Sequence, residues 1–353
     1  MALTEPVEPG HALNPANDSE RLVFRQLLET LVRVDCLGNV HPGLAQSWQR
    51  DADGKGWIFT PREGASFAGN FFLPAARGLG IDSATYLDDR RVHVRLREAA
   101  DTLPRVFAEP ALAVFAGLAA PGEPVRRFVV SGTHGRPSMD FQVVENGDPR
   151  DALDRGIDLA VTRDPSIVEY VAGRPELETF PLPWSLTYLL LQPAGAPPLQ
   201  LASDSVRGSL ARDAVRAEAR PAEPPFWWAN QSDCPGGSDS AEQHLTASRI
   251  VYPRGDAVAR GLAERLVALA GSGSSLRAAA LEPAELTAAL RDRTERAYVI
   301  AVPRASLAPC RAGSAWPVGA SIQPLIDTRA TAIVRRGSPP LTVDWDGTVR
   351  ALP

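Results

Sequence analysis

Residues 29–70, ETLVRVDCLGNVHPGLAQSWQRDADGKGWIFTPREGASFAGN, decide how the rest of the 353-residue chain is read. Upstream of them Leu22, Val23, Leu27, Leu28, Leu31 and Val32 recur at helical spacing behind Asn17-Asp18-Ser19, a capping sequence, so an amphipathic helix is predicted over residues 19–34. Inside the stretch, Gly38-Asn39 reads as a turn, and Asp53-Gly54 as a second turn ahead of the strand Trp57-Ile58-Phe59-Thr60. Gly38, Gly54 and Gly64 allow turn conformations that a side chain resists, while Trp48 and Phe59 are expected to supply core area.

Working outward, Val92-His93-Val94-Arg95-Leu96 alternates as a half-buried strand and residues 139–144 read as another. A short helix is predicted over 149–155, then a strand through Ile157-Asp158-Leu159-Ala160-Val161-Thr162. Beyond the Pro-rich residues 193–198 the reading is a helix over 204–219, a strand over 249–252, a helix from the Asp256 cap to residue 270, a strand over 275–281, a helix opened by Pro283, and a strand over 297–302. That β-α-β-α-β order predicts an α/β unit with a partly parallel sheet.

Leu31, Val32, Asp35, Gly38, Pro42, Leu44, Ala45, Ser47, Trp48, Asp53, Gly54, Phe59, Arg62, Gly64 and Phe67 match, in order and spacing, the N-terminal signature of the family 5 extracellular solute-binding proteins. Later segments are similar too: DALDRGIDLAVT at 151–162, the stretch Trp184 to Gln192, and IVYPRGDAVARGLAERLVAL at 250–269. The chain therefore resembles a shortened, divergent member of the peptide- and nickel-binding receptors of bacterial ABC importers. The resemblance implies an α/β, two-lobed periplasmic-binding-protein-like fold with a hinge and a ligand cleft between lobes. Lobe I would comprise residues 1–192, with its extra subdomain cut to residues 71–97, and lobe II residues 193–319; residues 320–353 would return into lobe I. Hinge segments are expected at 193–198 and 311–323.

The implied function is non-enzymatic capture of a small-molecule or peptide-like ligand and its presentation to an ABC import permease. The protein would be an extracytoplasmic monomer whose signal segment lies outside this sequence. The family's G-T-G-P loop is present only as Ser131-Gly132-Thr133-His134-Gly135, and its acidic anchor for a peptide amino terminus has no counterpart in Arg296-Ala297-Tyr298-Val299-Ile300-Ala301-Val302-Pro303-Arg304. The second departure argues against ordinary peptide binding. A degenerate module that senses a ligand or serves a structural interaction, without transport, is the alternative reading.

Composition narrows the field independently. A formal charge of −5, with 37 basic residues scattered among 42 acidic ones, offers no basic stripe for nucleic acid. No apolar run is long enough to span a membrane. The sequence holds no G-x-S-x-G, Walker A, G-x-G-x-x-G or H-E-x-x-H motif, and its five histidines are never within ligand spacing, so no catalytic residue, cofactor or metal site is expected.

The candidate ligand-binding residues are Trp184, Tyr188, Trp227 and Trp228, with Arg163 and Arg304 as aids for an anion and His134 in a Gly-flanked loop. Asn230 and Gln231 could orient a ligand beside the tryptophans. Each has a plainer reading: Trp227 and Trp228 as a loop packing its own small core, the arginines as surface charge, and His134 as an exposed loop residue. Of three cysteines, Cys234 and Cys310, both beside prolines, are the disulfide candidate and Cys36 is expected buried and free; three reduced thiols fit the count equally.

Overall fold

The computed structural model describes residues 1–13, 15, 17–65, 67, 79–87, 90–99, 105–115, 126–130, 138–144, 147–193, 209–210, 218–228, 248–270, 275–307 and 320–351. Two compact units emerge: Met1–Thr162, Ser166–Leu182 and Thr331–Pro353 form unit 1, and Arg163–Pro165 with Pro183–Ala330 form unit 2. The division falls at Leu182/Pro183 and Ala330/Thr331 rather than at 192/193 and 319/320. The reason is hydrogen bonding: the strand Leu186–Gln192 pairs antiparallel with Ala297–Pro303 on one side and Ser321–Arg329 on the other, so both flanking strands belong to the second sheet. The expected hinge segments 193–198 and 311–323 fall largely outside the described residues.

In unit 1, six strands among the described residues form a sheet in the order Arg127–Val130, Met139–Val143, Ala2–Leu3, Leu159–Thr162, Thr331–Arg335, Leu177–Pro181. Ala2, Ala160, Leu177 and Ile333 on this sheet bury against Ala152 and Leu153 and against Ile167 and Val171, one helical turn apart on the helix Pro165–Ala172. A separate antiparallel sheet orders Ala45–Arg50, Gly56–Pro61, Val92–Leu96 and Ile81–Tyr86. Its core residue is Phe59, fully buried and edge-to-face with Phe107 at 5.0 Å. Trp57 is also buried, whereas Trp48 is only half-buried, because the strand Ala45–Arg50 turns most of its side chains to solvent. The turn glycines Gly38 and Gly54 have φ of 86° and 73°, the left-handed region in which a Cβ is strained.

The first helix, Asp18–Leu27, begins as the sequence indicates, with Asn17 Oδ1 accepting from the Glu20 amide at 2.8 Å. It stops seven residues short of the predicted end. Leu28 is extended, and Val32–Val34 pairs with Val40–Pro42 as a hairpin, the β-branched residues following their strand preference. Gln26 then acts as a strand partner: its Nε2 donates to Val349 O at 2.8 Å and its Oε1 accepts from Ala351 N at 3.1 Å, tying the C-terminal hairpin Leu341–Val343/Val349–Ala351 to the helix. Cys36, at the hairpin tip, is free and exposed rather than buried. Cys234 and Cys310 lie outside the described residues.

Unit 2 is built on the sheet Glu218–Pro221, Ser321–Arg329, Leu186–Gln192, Ala297–Pro303, Arg249–Pro253, Arg277–Leu281, antiparallel through the first four and parallel through the last three. The parallel part is the predicted β-α-β-α-β run, with helices Ala257–Leu269 and Pro283–Asp292 as crossovers. Asp256 caps the first by accepting from Ala259 N at 2.9 Å. Glu218 and Ala219 begin a strand, so the helix predicted over 204–219 does not reach them; residues 209–210 are helical and the rest of that segment lies outside the described residues. Successive residues of Leu186–Gln192 feed two cores: Tyr188 and Leu190 pack with Val258, Leu262 and Leu266, while Leu189 and Leu191 pack with Trp228, Tyr298 and Leu286.

Candidate ligand site

The strand register of unit 2 sets three side chains in a row: Thr187 lies opposite Asp327, and Asp327 opposite Arg220. Asp327 is fully buried. Its Oδ1 accepts from Thr187 Oγ1 at 2.8 Å, and its Oδ2 from Arg220 Nε and Nη2 at 3.3 Å each and from the Glu223 amide at 3.3 Å. Arg304, just beyond the strand Ala297–Pro303, brings Nε to 3.6 Å of the same Oδ2, donates through Nη2 to the Glu223 carbonyl, and lies 5.0 Å over the Phe226 ring. One buried carboxylate thus organises two guanidiniums, the arrangement by which a charge is tolerated away from water. Burial pushes Arg304 below the usual arginine range; Asp327 opposes this and Arg220 reinforces it.

The aromatic residues surround this centre. Trp184 carries the guanidiniums of Arg220 and Arg329 over its ring, at 4.6 and 4.5 Å, and Arg329 is itself paired with Glu218. Phe226 stacks on Trp228 at 4.7 Å, Trp227 meets Trp228 edge-on at 5.2 Å, and Trp227 Nε1 donates to Pro303 O at 2.7 Å. Trp228 is buried, while Trp184 and Trp227 are half-buried.

Of the residues singled out from sequence, Arg304 faces Asp327, Trp184 lies under Arg220 and Arg329, and Trp227 and Trp228 pack with Phe226, the ring beneath Arg304. Tyr188 does not join them: it is buried on the opposite face of the sheet, its hydroxyl 3.2 Å from both carboxylate oxygens of Asp256. Arg163 donates to Ser185 Oγ at 3.1 Å and Thr328 Oγ1 at 3.4 Å, and its charge is felt by Asp256. His134, Asn230 and Gln231 lie outside the described residues. Asp327, Arg220, Arg329 and Phe226 were not singled out. The available signal was Asp327 itself, a charge directly following the apolar run Pro324-Leu325-Ile326.

A cavity of about 310 Å³ is found in unit 1, lined by residues including Met139, Asp140, Gln142, Asp158 and Val334. It adjoins the start of the strand Leu159–Thr162, not the end from which the chain passes to unit 2. Among the described residues no group of His, Cys, Asp and Glu is arranged to hold a metal ion, and no helix is long and apolar enough to cross a membrane.

No family model matches the sequence, and no curated protein does. Solved structures do: the chain has the two-lobed α/β fold of bacterial solute-binding proteins. OppA from Listeria monocytogenes, bound to peptide, superposes with a TM-score of 0.67 at 11% identity, covering 100% of this chain and 99% of that one. The dipeptide binding protein from Pseudoalteromonas sp. SM9913, in complex with Met-Leu, gives a TM-score of 0.67 at 12% identity over 99% of both chains. NikA from Brucella suis, in complex with Fe(III)-EDTA, gives 0.62 at 15% identity over 98% of this chain and 97% of that one. At these identities the likeness speaks for the fold.

Proposed function

We propose that this protein is a family 5 solute-binding receptor that captures a small organic molecule, without transforming it, and delivers it to an ABC import permease. Two independent lines support the reading. The signature between Leu31 and Phe67 fits the family residue by residue, and binding proteins from three bacteria share the fold over nearly the full chain. The observation that carries it is the second, since the likeness runs over 97 to 99% of each of those three chains.

Within that reading, the ligand-facing group is Trp184, Trp227 and Arg304, with Arg163 at the neighbouring strand ends; Tyr188 and Trp228 support it from the cores. The half-buried indoles supply apolar contact and the guanidiniums orient polar groups. Native mass spectrometry of the purified protein tests the function. A receptor shows a stoichiometric small molecule released intact on denaturation; a molecule converted by the protein during incubation would point to an enzyme and overturn the reading.

A further inference from the structure

Arg304 has three sets of guanidinium donors, and two have protein acceptors: Nε faces Asp327 and Nη2 bonds the Glu223 carbonyl. Nη1 is buried and has none. A guanidinium only donates, so the missing partner must be an acceptor. Native proteins rarely leave such a group buried and unmatched, because its lost hydration is not repaid. Arg329 Nε, beside the Trp184 ring that Arg329 shares with Arg220, is also buried without an acceptor.

The carboxylates close by are already engaged. Asp327 Oδ1 accepts from Thr187, and its Oδ2 from Arg220 and the Glu223 amide. Glu223 Oε2 is 2.8 Å from Arg220 Nη1, and Glu218 is paired with Arg329. With Asp327 committed to the protein's own donors, the centre has surplus donors and, among the described residues, no free buried carboxylate for a ligand's ammonium group. Phe226 beneath the Arg304 guanidinium, and half-buried Trp227, which bonds the carbonyl of the preceding residue Pro303, offer apolar surface next to the charge.

We propose that Arg304 anchors a carboxylate-bearing organic ligand through Nη1, with Phe226 and Trp227 receiving its apolar part and, among the described residues, no group reserved for an amino terminus. This rests on the receptor reading and names the ligand class for that site. No bond is made or broken: the carboxylate accepts a charge-assisted hydrogen bond where Nη1 now has no partner.

The test uses the full chain, dialysed free of anionic buffer, with benzoate, phenylacetate, indole-3-acetate and succinate, each beside its amide, and inorganic phosphate. Calorimetry and thermal shift are read for the wild type, Arg304→Gln and Arg304→Lys. At least one acid should bind while its amide binds about tenfold more weakly or worse, Arg304→Gln should erase that discrimination, and Arg304→Lys should retain part of it, as loss of a charge-assisted contact requires. The acid-to-amide ratio is measured on the wild type, so it stands even if a variant misfolds. Amides equal to acids, or discrimination unchanged in Arg304→Gln, would overturn the proposal and leave the receptor reading intact. Phosphate binding as tightly as every acid would overturn the organic-carboxylate assignment. Absence of binding across the whole set would also overturn the proposal, while the receptor reading would still be judged by the co-purified molecule.

Discussion

Asp327→Asn is the substitution that probes the centre of unit 2 most sharply. The change keeps the shape and an acceptor for Thr187 but removes the charge that faces Arg220 and Arg304. Removing one partner of a buried ion pair costs about 3–5 kcal/mol, most of it the penalty of leaving the other charge uncompensated. Arg220 is 30% exposed and keeps Glu223, so its share is reduced, whereas Arg304 is 13% exposed. We therefore expect about 3 kcal/mol, the lower end of that range. With a urea slope of about 2 kcal/mol per molar, the midpoint of unit 2 should fall by about 1.5 M. Tryptophan fluorescence is a suitable probe, because Trp184 lies under Arg220, and Trp228, with Trp227 edge-on to it, stacks on the Phe226 ring beneath Arg304. Glu223→Gln, at a side chain 57% exposed, is the control and should cost less than about 1 kcal/mol. A midpoint shift below about 0.5 M for Asp327→Asn would refute the reasoning, since it would mean that the buried charge is not what holds the arginines.

Three further outcomes follow from the geometry. Burial raises the Asp256 carboxyl above its ordinary 3.8, with the Ala259 amide and the Tyr188 hydroxyl opposing. A raised acid favours the fold below its unfolded pKa and loses that contribution as pH rises through the folded value, so Asp256→Asn, which can still cap its helix, should gain on the wild type as pH rises above the ordinary carboxyl value; a difference in unfolding free energy that stays constant through that rise would contradict this. Tyr298→Phe should destabilise by about 1–3 kcal/mol in the same denaturation assay, because the fully buried hydroxyl donates to Ala289 O at 2.7 Å and accepts from Glu295 N at 3.1 Å. Native alkylation followed by peptide mapping should label Cys36 rapidly, as an exposed thiol, and protection equal to that of a core cysteine would count against its placement.

The parallel half of unit 2 was legible from sequence because each element carries its own local signal: Asp256 and Pro283 open helices, and Ile250-Val251 and Val299-Ile300 mark buried strands. The first helix was over-read for the opposite reason. Leu31 and Val32 continue its apolar spacing, yet Val32–Val34 finds a hairpin partner in Val40–Pro42, and long-range pairing overrides the local pattern. The unit boundary was misplaced because the Pro-rich residues 193–198 are conspicuous, whereas the pairing of Leu186–Gln192 with strands more than a hundred residues later leaves no local mark. The site divides similarly. Its aromatic residues stood out by type, but not which sheet face each would take: Tyr188 and Thr187 are neighbours in sequence and serve opposite faces. Arg220, Asp327 and Arg329 became meaningful only once the register placed Asp327 between Thr187 and Arg220, and Arg329 across from Glu218.

The same distinction separates the two tryptophans as probes of binding. Trp228→Ala would open a cavity in the core shared with Leu189, Leu191 and Tyr298 and report on stability, whereas Trp227 is half-buried and, at the proposed site, would report on the ligand. The most direct measurement is therefore the dissociation constant of the co-purified molecule, or of the best-binding acid, for the wild type and for Trp227→Ala. The account predicts a loss of at least about 1 kcal/mol, or roughly fivefold, in a variant that unfolds as a single folded species like the parent. Unchanged affinity in a properly folded Trp227→Ala would contradict the placement of the ligand beside Arg304.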